Sequence, residues 1–458
     1  MARVKFSRTL RNMADAAPRL VELAEHALSS SFPLRLRAWD GSEAGPSGAP
    51  VLVLRRRRGL RRLLWRPGEL GLVRAWVAGD IDIEGGLYAA LDLLSGLVWE
   101  RGENAPGFGS GSSSAAASGP RAVLKALRDP ATYRFARDVL ALAGPGLPPA
   151  PPPEEVRVRS GLAHTKRRDK AAIAHHYDVG NDFYELVLGP SMVYSCALWA
   201  GPDGTLEDAQ GAKLDLVCRK LGLRQGMRLL DVGCGWGSMV LYAAEHYGVR
   251  ATGVTLSTEQ AAYARKRVAD AGLTDRVEIR VQDYRDVRDG PYDAVSSIGM
   301  AEHVGSRQYL EYARTLHDLL RPGGRLLNHQ IARRPVADEE AYHVDEFIDR
   351  YVFPDGELAP LGATVSRLED AGFEVRDVEA LREHYGRTLR AWVRNLEQRW
   401  AEAAAVTSEG RARVWRLYMA ASALSFERNR IGVNQVLAVR TADGGASGMP
   451  RTRAEWLS

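Results

Sequence analysis

The chain has 458 residues, 45% of them apolar and 26% charged. This is ordinary globular composition for two or three domains, and it excludes a disordered, collagenous or fibrous chain. The 62 Lys and Arg outnumber the 57 Asp and Glu only slightly, but unevenly: residues 1–150 carry 21 basic against 14 acidic residues, a net of +7, whereas the remaining 308 carry 41 against 43. Such asymmetry points to an anionic partner, either nucleic acid or a membrane surface.

At the N-terminus, MARVKFSRTLRNMADAAPRL is basic but holds no apolar run of signal-peptide length. No stretch reaches the ~20 apolar residues that span a bilayer, so membrane contact is expected to be peripheral, from a cytoplasmic protein. Residues 33–41 and 49–60 read as short strands, and Leu70–Val77 and Leu87–Trp99 as helices, together a small α+β unit. The Gly/Ser/Ala-rich stretch 105–120 reads as a linker, helical pattern resumes over Arg121–Leu142, and the Pro-rich stretch 144–153 marks a boundary. Beyond it, strands at 227–233, 250–256, 277–284, 292–299 and 324–332 alternate with helices at 238–248, 257–272 and near 307–320. This alternation predicts a doubly wound, mostly parallel sheet. Two long helical stretches, near 386–405 and 411–428, lead to a last strand at 432–440, and 443–458 reads as an irregular tail. The three cysteines, Cys196, Cys218 and Cys234, contain no CxxC pair and form neither a disulfide framework nor a zinc site.

The segment LLDVGCGWG (229–237) is a strand entering a glycine loop and a helix. Gly233, Gly235 and Gly237 let the backbone approach a ligand at the strand end, with Asp231 just before them. A tight βα turn would use the same glycines, and GxGxG is not the GxGxxG of dinucleotide folds. Two further features are the acidic strand end VQDYRD (281–286) and the Pro-Gly-Gly turn at 322–324. In this order the three resemble class I methyltransferases that use S-adenosylmethionine. The resemblance implies that Gly233–Gly237 border the methionine part of the cofactor and that Asp283, with Tyr284 beside it, lies at the adenine. The second strand ends in Thr255 rather than an acidic residue, and Gln260 follows on the next helix.

YSCALW (194–199), LEDAQGAKLDLVCRKL (206–221), SIGMAEHVG (297–305), NHQIA (328–332), RYVFPDGEL (350–358) and HYGRTLRAW (384–392) resemble one family, the cyclopropane-fatty-acyl-phospholipid synthases and mycolic-acid methyltransferases. The resemblance covers about 160–440. It implies an α/β class I methyltransferase (Rossmann-like) fold with a seven-stranded, mostly parallel sheet over 151–442 and a smaller α+β domain over 1–150. It also implies methyl transfer from S-adenosylmethionine to a cis double bond of a phospholipid's unsaturated acyl chain, and it leaves a homodimer open. An alkene is a poor nucleophile, so the donor must be held in line and water kept out. The resulting carbocation needs apolar, aromatic or anionic surroundings, and a base must remove a proton to close a cyclopropane ring. In the family that base is a bound bicarbonate ion, whose ligands match Cys196, Glu302, His329, Ile331 and Tyr385. Tyr194 and Ser195 match cofactor-contacting positions, and Tyr177 matches a further family position.

Taken singly, these residues have bland readings. Cys196 reads as a small buried apolar residue, Glu302 as a solvated loop carboxylate, His329 as a core histidine and Tyr385 as a helix anchor. Their joint register with the glycine loop favours the functional reading. The chain departs from the family in Ala301, where an aromatic is usual, and in Gln330 and Ala332, all expected to border the cation. Ring closure and a methylene- or methyl-branched product therefore both stay open.

Arg55–Arg58, Arg61, Arg62 and Arg66, interleaved with Leu60, Leu63, Leu64 and Trp65, are expected to dock on an anionic membrane, with Lys166–Arg168 as a second basic cluster. The alternative is a solvated basic face. No nucleic-acid-binding motif accompanies the arginines. Readings from other classes are a catalytically silent lipid-binding protein and a methyltransferase of RNA or a small metabolite.

Overall fold

The structure is a computed structural model, and it describes residues 15–99, 130–156, 179–336 and 345–457, together with 339 and 342. The expected linker at 105–120, Lys166–Arg168 and Tyr177 lie outside the described residues. Two units emerge. The first comprises Met1–Arg157, Ala341–Val352 and Glu409–Leu417, and the second the rest of the chain. A linear division near residue 150 thus differs from the structure, which returns two later segments to the first unit; neither segment has a composition break that would mark it.

The first unit holds α1 (Ala16–Leu28), β1 (Arg35–Arg37), β2 (Glu43–Ala44), β3 (Val51–Leu54), α2 (Arg57–Trp65), α3 (Glu69–Val77), β4 (Ile81–Glu84), α4 (Leu87–Trp99) and α5 (Pro130–Ala143). Its sheet runs β2-β1-β3-β4, with β1 and β3 parallel and the outer pairs antiparallel. Leu34, Leu36, Leu54, Leu70, Val73 and Trp76 are buried in it. The arginine run was expected to continue a strand. It becomes the helix α2 instead, because four-residue spacing sets Arg58 and Arg62 on one face, above a common acid. Asp80, fully buried, accepts from Arg58 Nη2 at 2.9 Å and from Arg62 Nε at 3.0 Å. Arg55 pairs with Asp82 at 2.6 Å and Arg66 with Glu346 at 2.7 Å. Arg61 donates to the Pro145 carbonyl at 3.0 Å, and Arg57 lies over the Trp39 ring. Four of the seven arginines are therefore committed to carboxylates, and the cluster is not the free basic face that its sequence suggests.

The second unit is built on the sheet β11-β12-β9-β8-β5-β6-β7. Its strands are β5 (Arg228–Val232), β6 (Arg250–Thr255), β7 (Val277–Val281), β8 (Tyr292–Ile298), β9 (Leu320–Arg333), β11 (Glu374–Ala380) and β12 (Ile431–Val439), with the two-residue β10 (Ala359–Pro360) attached to β9. β9-β8-β5-β6-β7 are parallel; β12 and β11 join antiparallel. The helices are α6 (Asn181–Leu188), α7 (Leu206–Leu221), α8 (Ser238–Tyr247), α9 (Thr258–Asp270), α10 (Tyr309–Leu319), α11 (Leu361–Asp370), α12 (Arg382–Gln398), α13 (Trp400–Val406), α14 (Glu409–Glu427, its first half in the first unit) and α15 (Arg453–Leu457). Leu229, Leu327 and Leu437 pack with α7 and α8 on one sheet face; Leu230, Leu326 and Val436 pack with α10 and α11 on the other. α7 opens with the Thr205 hydroxyl accepting the Asp208 N–H and stops at Gly222, which is left-handed at φ 64°. Strand order reverses between β5 and β8, which puts the ligand crevice of such a sheet at their C-terminal ends.

The tail corrects an expectation. It is irregular up to residue 452 as expected, but its last residues form α15, and Trp456 packs in the core on the α7 side. No helix among the described residues is long and apolar enough to cross a membrane.

Replacing Asp80 by Asn leaves the buried Arg62 guanidinium without its counter-charge, which costs about 3–5 kcal/mol. Hydrogen exchange at the amides of α2 and α3 is expected to accelerate accordingly. Unchanged exchange would show that the pair does not hold this unit together.

Candidate active site

The loop after β5 is left-handed at Gly233 (φ 81°), Gly235 (φ 52°) and Gly237 (φ 83°). The Gly233 and Cys234 N–H groups both donate to the Val254 carbonyl on β6 at 3.0 Å. A Cβ on Gly233 would come within 3.3 Å of the Met300 side chain beyond β8, and one on Gly253 within 2.9 Å of Cys234. The loop is thus pinned between two strand ends with backbone on its open side. Asp231, buried, accepts from Ser296 Oγ at 2.6 Å, and burial raises its pKa to about 6. Thr255 Oγ1 bonds Gln260 Oε1 at 3.0 Å, leaving the buried Gln260 Nε2 without a partner among the described residues. Asp283 stands at the end of β7 with its carboxylate gripped by Arg285 at 2.6 and 2.8 Å. Tyr284 departs from expectation: its ring packs in the apolar core, edge-on to Tyr312.

Tyr194, Ser195 and Cys196 follow α6 as an extended segment. Ser195 Oγ receives a hydrogen bond from Lys213 Nζ at 2.8 Å. Lys213 is wholly buried on α7, which lowers its pKa to about 8. Sequence reasoning passed over it, since a lysine in a charged helix looks solvated. Also missed was a chain of rings. Trp236, in the glycine loop, lies 4.6 Å from Tyr184; Tyr184 is 5.5 Å from Tyr194, and Tyr194 is 5.4 Å from Trp392. Trp392 is 6.0 Å from Tyr385, and Tyr385 is 4.7 Å from Phe426. Tyr385 and Trp392 stand two helical turns apart on α12, the only sequence signal for this face.

The five residues matched to the bicarbonate site form two groups, Glu302 with Ile331 and His329, and Cys196 with Tyr385, which the backbone links through Leu381 and Val433. Glu302 Oε1 accepts the Ile331 N–H at 2.8 Å, joining the turn after β8 to β9. Cys196 Sγ approaches the Leu381 carbonyl at 3.5 Å; the Tyr385 N–H donates to the same oxygen at 3.1 Å. The Leu381 N–H donates to the Val433 carbonyl, and Val433 is the cross-strand partner of Ile331. His329, two residues before Ile331, therefore shares its sheet face. Burial raises the Glu302 pKa to about 7 despite the Ile331 N–H, and its Oε2 has no partner among the described residues. Burial, with the Lys213 and Lys220 ammonium groups, pushes His329 well below its usual range, so its imidazole is neutral. Burial also raises the Cys196 thiol, which stays protonated. Gln330 corrects an expectation. It points to the opposite face, where its carboxamide bonds Tyr309, Asn328 and Thr364.

The family profile described as mycolic acid cyclopropane synthetase matches residues 164–436. The chain belongs to this family. It is an enzyme, an S-adenosylmethionine-dependent methyltransferase with the class I fold. A probable fatty acid methyltransferase of Mycobacterium tuberculosis is 43% identical over 432 residues, 92% of this chain and 94% of that protein. A tuberculostearic acid methyltransferase of the same organism is 32% identical, covering 90% and 89%. Among solved structures, a mycolic acid cyclopropane synthase complexed with S-adenosylhomocysteine and CTAB is 34% identical, with a TM-score of 0.56 over 59% of this chain and 97% of that one.

The residues present fit the family's cofactor: Gly233, Gly235 and Gly237 bare their backbone at the end of β5, and Gln260 presents an amide uncommitted among the described residues. They also fit a small oxyanion, since Glu302 Oε2 and both His329 nitrogens are sealed and have no partner among the described residues. A carboxyl raised from 4.5 to about 7 binds more protons folded than unfolded. Its favourable contribution is therefore complete below about pH 4.5 and is lost as pH rises to 7. Relative to Glu302→Gln, the native chain is expected to lose ~3 kcal/mol between pH 4 and 8 in urea unfolding. A pH-independent difference would refute the buried neutral carboxyl.

Proposed function

We propose that this enzyme methylates the cis double bond of an unsaturated acyl chain carried by a phospholipid and closes a cyclopropane ring. The reading rests above all on the pairing of Glu302 with the Ile331 N–H beside an uncommitted His329. Bound S-adenosylmethionine supplies an electrophilic methyl group at the glycine loop, and bound bicarbonate a base. Gly233, Gly235, Gly237, Thr255 and Gln260 hold the cofactor, with Asp231 supporting the loop through Ser296 and Asp283 lying toward the adenine. Tyr194 and Ser195 border the cofactor from the other side, and Lys213 fixes the serine. The rings from Trp236 through Tyr194 and Trp392 to Tyr385 exclude water and present π-faces to positive charge, first the sulfonium and then the carbocation. Cys196, Glu302, His329, Ile331 and Tyr385 would hold that bicarbonate, which would supply the base for ring closure.

A second reading, a methylene- or methyl-branched chain from the same cation, draws on the near full-length similarity to the tuberculostearic acid methyltransferase. Expression in a bacterium lacking its own ring synthase distinguishes them. Acyl chains one methylene heavier are expected, and NMR separates ring from branch. Unaltered acyl chains would sink both readings. Glu302→Gln in the same cells is expected to lower product about 100-fold while purified protein still binds S-adenosylmethionine.

Access to the acyl chain requires a bilayer surface, and the first unit offers one. Trp65 and Leu147 are exposed, at 59% and 87%. Arg61, half-buried, stands one turn before Trp65 on α2 and bonds Pro145, two residues from Leu147. Vesicles containing anionic phospholipid are expected to retain the chain, and Trp65→Glu to release it. Equal sedimentation of both would exclude this surface.

A further inference from the structure

Gln435 has gone unassigned, though it stands beside His329. It lies on β12 as the direct cross-strand partner of His329 on β9. Opposed residues of an antiparallel pair share a face, with Cβ atoms ~5 Å apart. Both side chains are sealed, at 0% and 2% exposure. Neither Gln435 polar atom and neither His329 nitrogen has a hydrogen-bond partner among the described residues. Leaving a buried amide and an imidazole both unsatisfied is costly. Their neighbours are committed elsewhere. Glu379, the partner of Gln435 on the other side, is ion-paired with Lys220 at 2.5 Å, and Lys213 is bonded to Ser195.

We infer that Gln435 is a positioning residue for His329: its carboxamide, unpartnered in this structure, turns to donate its Nε2–H to the ring nitrogen facing β12, which holds the proton on the other nitrogen. The inference rests on the reading of His329 as part of the oxyanion site. A neutral imidazole has one donor and one acceptor. Only a ring N–H turned toward the site can hold an oxyanion there, so the nitrogen toward β12 must be bare and needs a donor. The carboxamide supplies that donor across the strand pair. No charge enters the core, and the ring keeps one tautomer through the catalytic cycle.

The test uses the full chain labelled with 15N-histidine, the His329 signals being assigned by their loss in His329→Asn. In the native protein, one neutral tautomer is expected, with one ring nitrogen protonated and the other bare. Gln435→Met keeps the volume and removes the donor. It is expected to give averaged tautomer shifts and an approximately tenfold lower kcat on vesicles of unsaturated phospholipid, with the KM for S-adenosylmethionine unchanged. A mixed tautomer in the native protein overturns the inference without any substitution. Native-like shifts or native-like kcat in Gln435→Met overturn it as well, even where the native chain still alters acyl chains. A native chain that alters no acyl chain would remove the functional reading itself.

Discussion

β9 carries the chemistry of this protein on one face and its scaffolding on the other, and its register decides which is which. Its pairing with β12 runs unbroken from Arg325 to Arg333, and β8 holds its other edge. His329 and Ile331 therefore face α7, while Asn328 and Gln330 face α10 and α11. A slip of one residue would exchange the two sets. It would bury the Gln330 network against the aliphatic layer of Leu327 and Leu437, and it would take the Ile331 N–H away from Glu302.

The polar groups on the two faces are treated differently. On the α10 side Asn328, Gln330, Tyr309, Tyr312, Ser297 and Thr364 satisfy one another. Such a network is rigid because each member has its partners. On the α7 side both His329 nitrogens and the Gln435 carboxamide are sealed but uncommitted among the described residues. Unsatisfied buried groups are expensive, and a fold tolerates them where they serve a ligand. The satisfied face holds the strand still, so the unsatisfied face can stay poised.

Aromatic residues connect this face to the glycine loop. Reactions that pass through a cation in an oily pocket need charge stabilisation without a nucleophile. Rings provide it, because their π-faces attract a cation and carry no lone pair strong enough to trap it. The thiol of Cys196 and the carboxyl of Glu302 are both shifted toward their neutral forms by burial, which keeps the thiol from competing as a nucleophile.

Much of the fold was legible because local signals agree with the tertiary structure. The βα alternation after residue 227 and the helix boundaries read at Gly248 and Ser257 all match real element ends. β11 was not legible, since EVRDVEA reads as exposed charge and gains its place only by pairing with β12. α2 was misread as strand because Asp80, which gathers Arg58 and Arg62, lies some twenty residues downstream. Tyr284 was read as a ligand contact from its neighbour Asp283, but its ring belongs to the core. By itself the sequence determined the parallel sheet, the glycine loop and the identities of Cys196, Glu302, His329 and Tyr385, because periodicity and motif wording are local properties. Only the tertiary structure decided how these residues are linked, that most of the arginine charge is spent internally, and that Gln435 lies beside His329. Those facts depend on which strands pair and in what register, and contacts between residues a hundred positions apart leave no local trace.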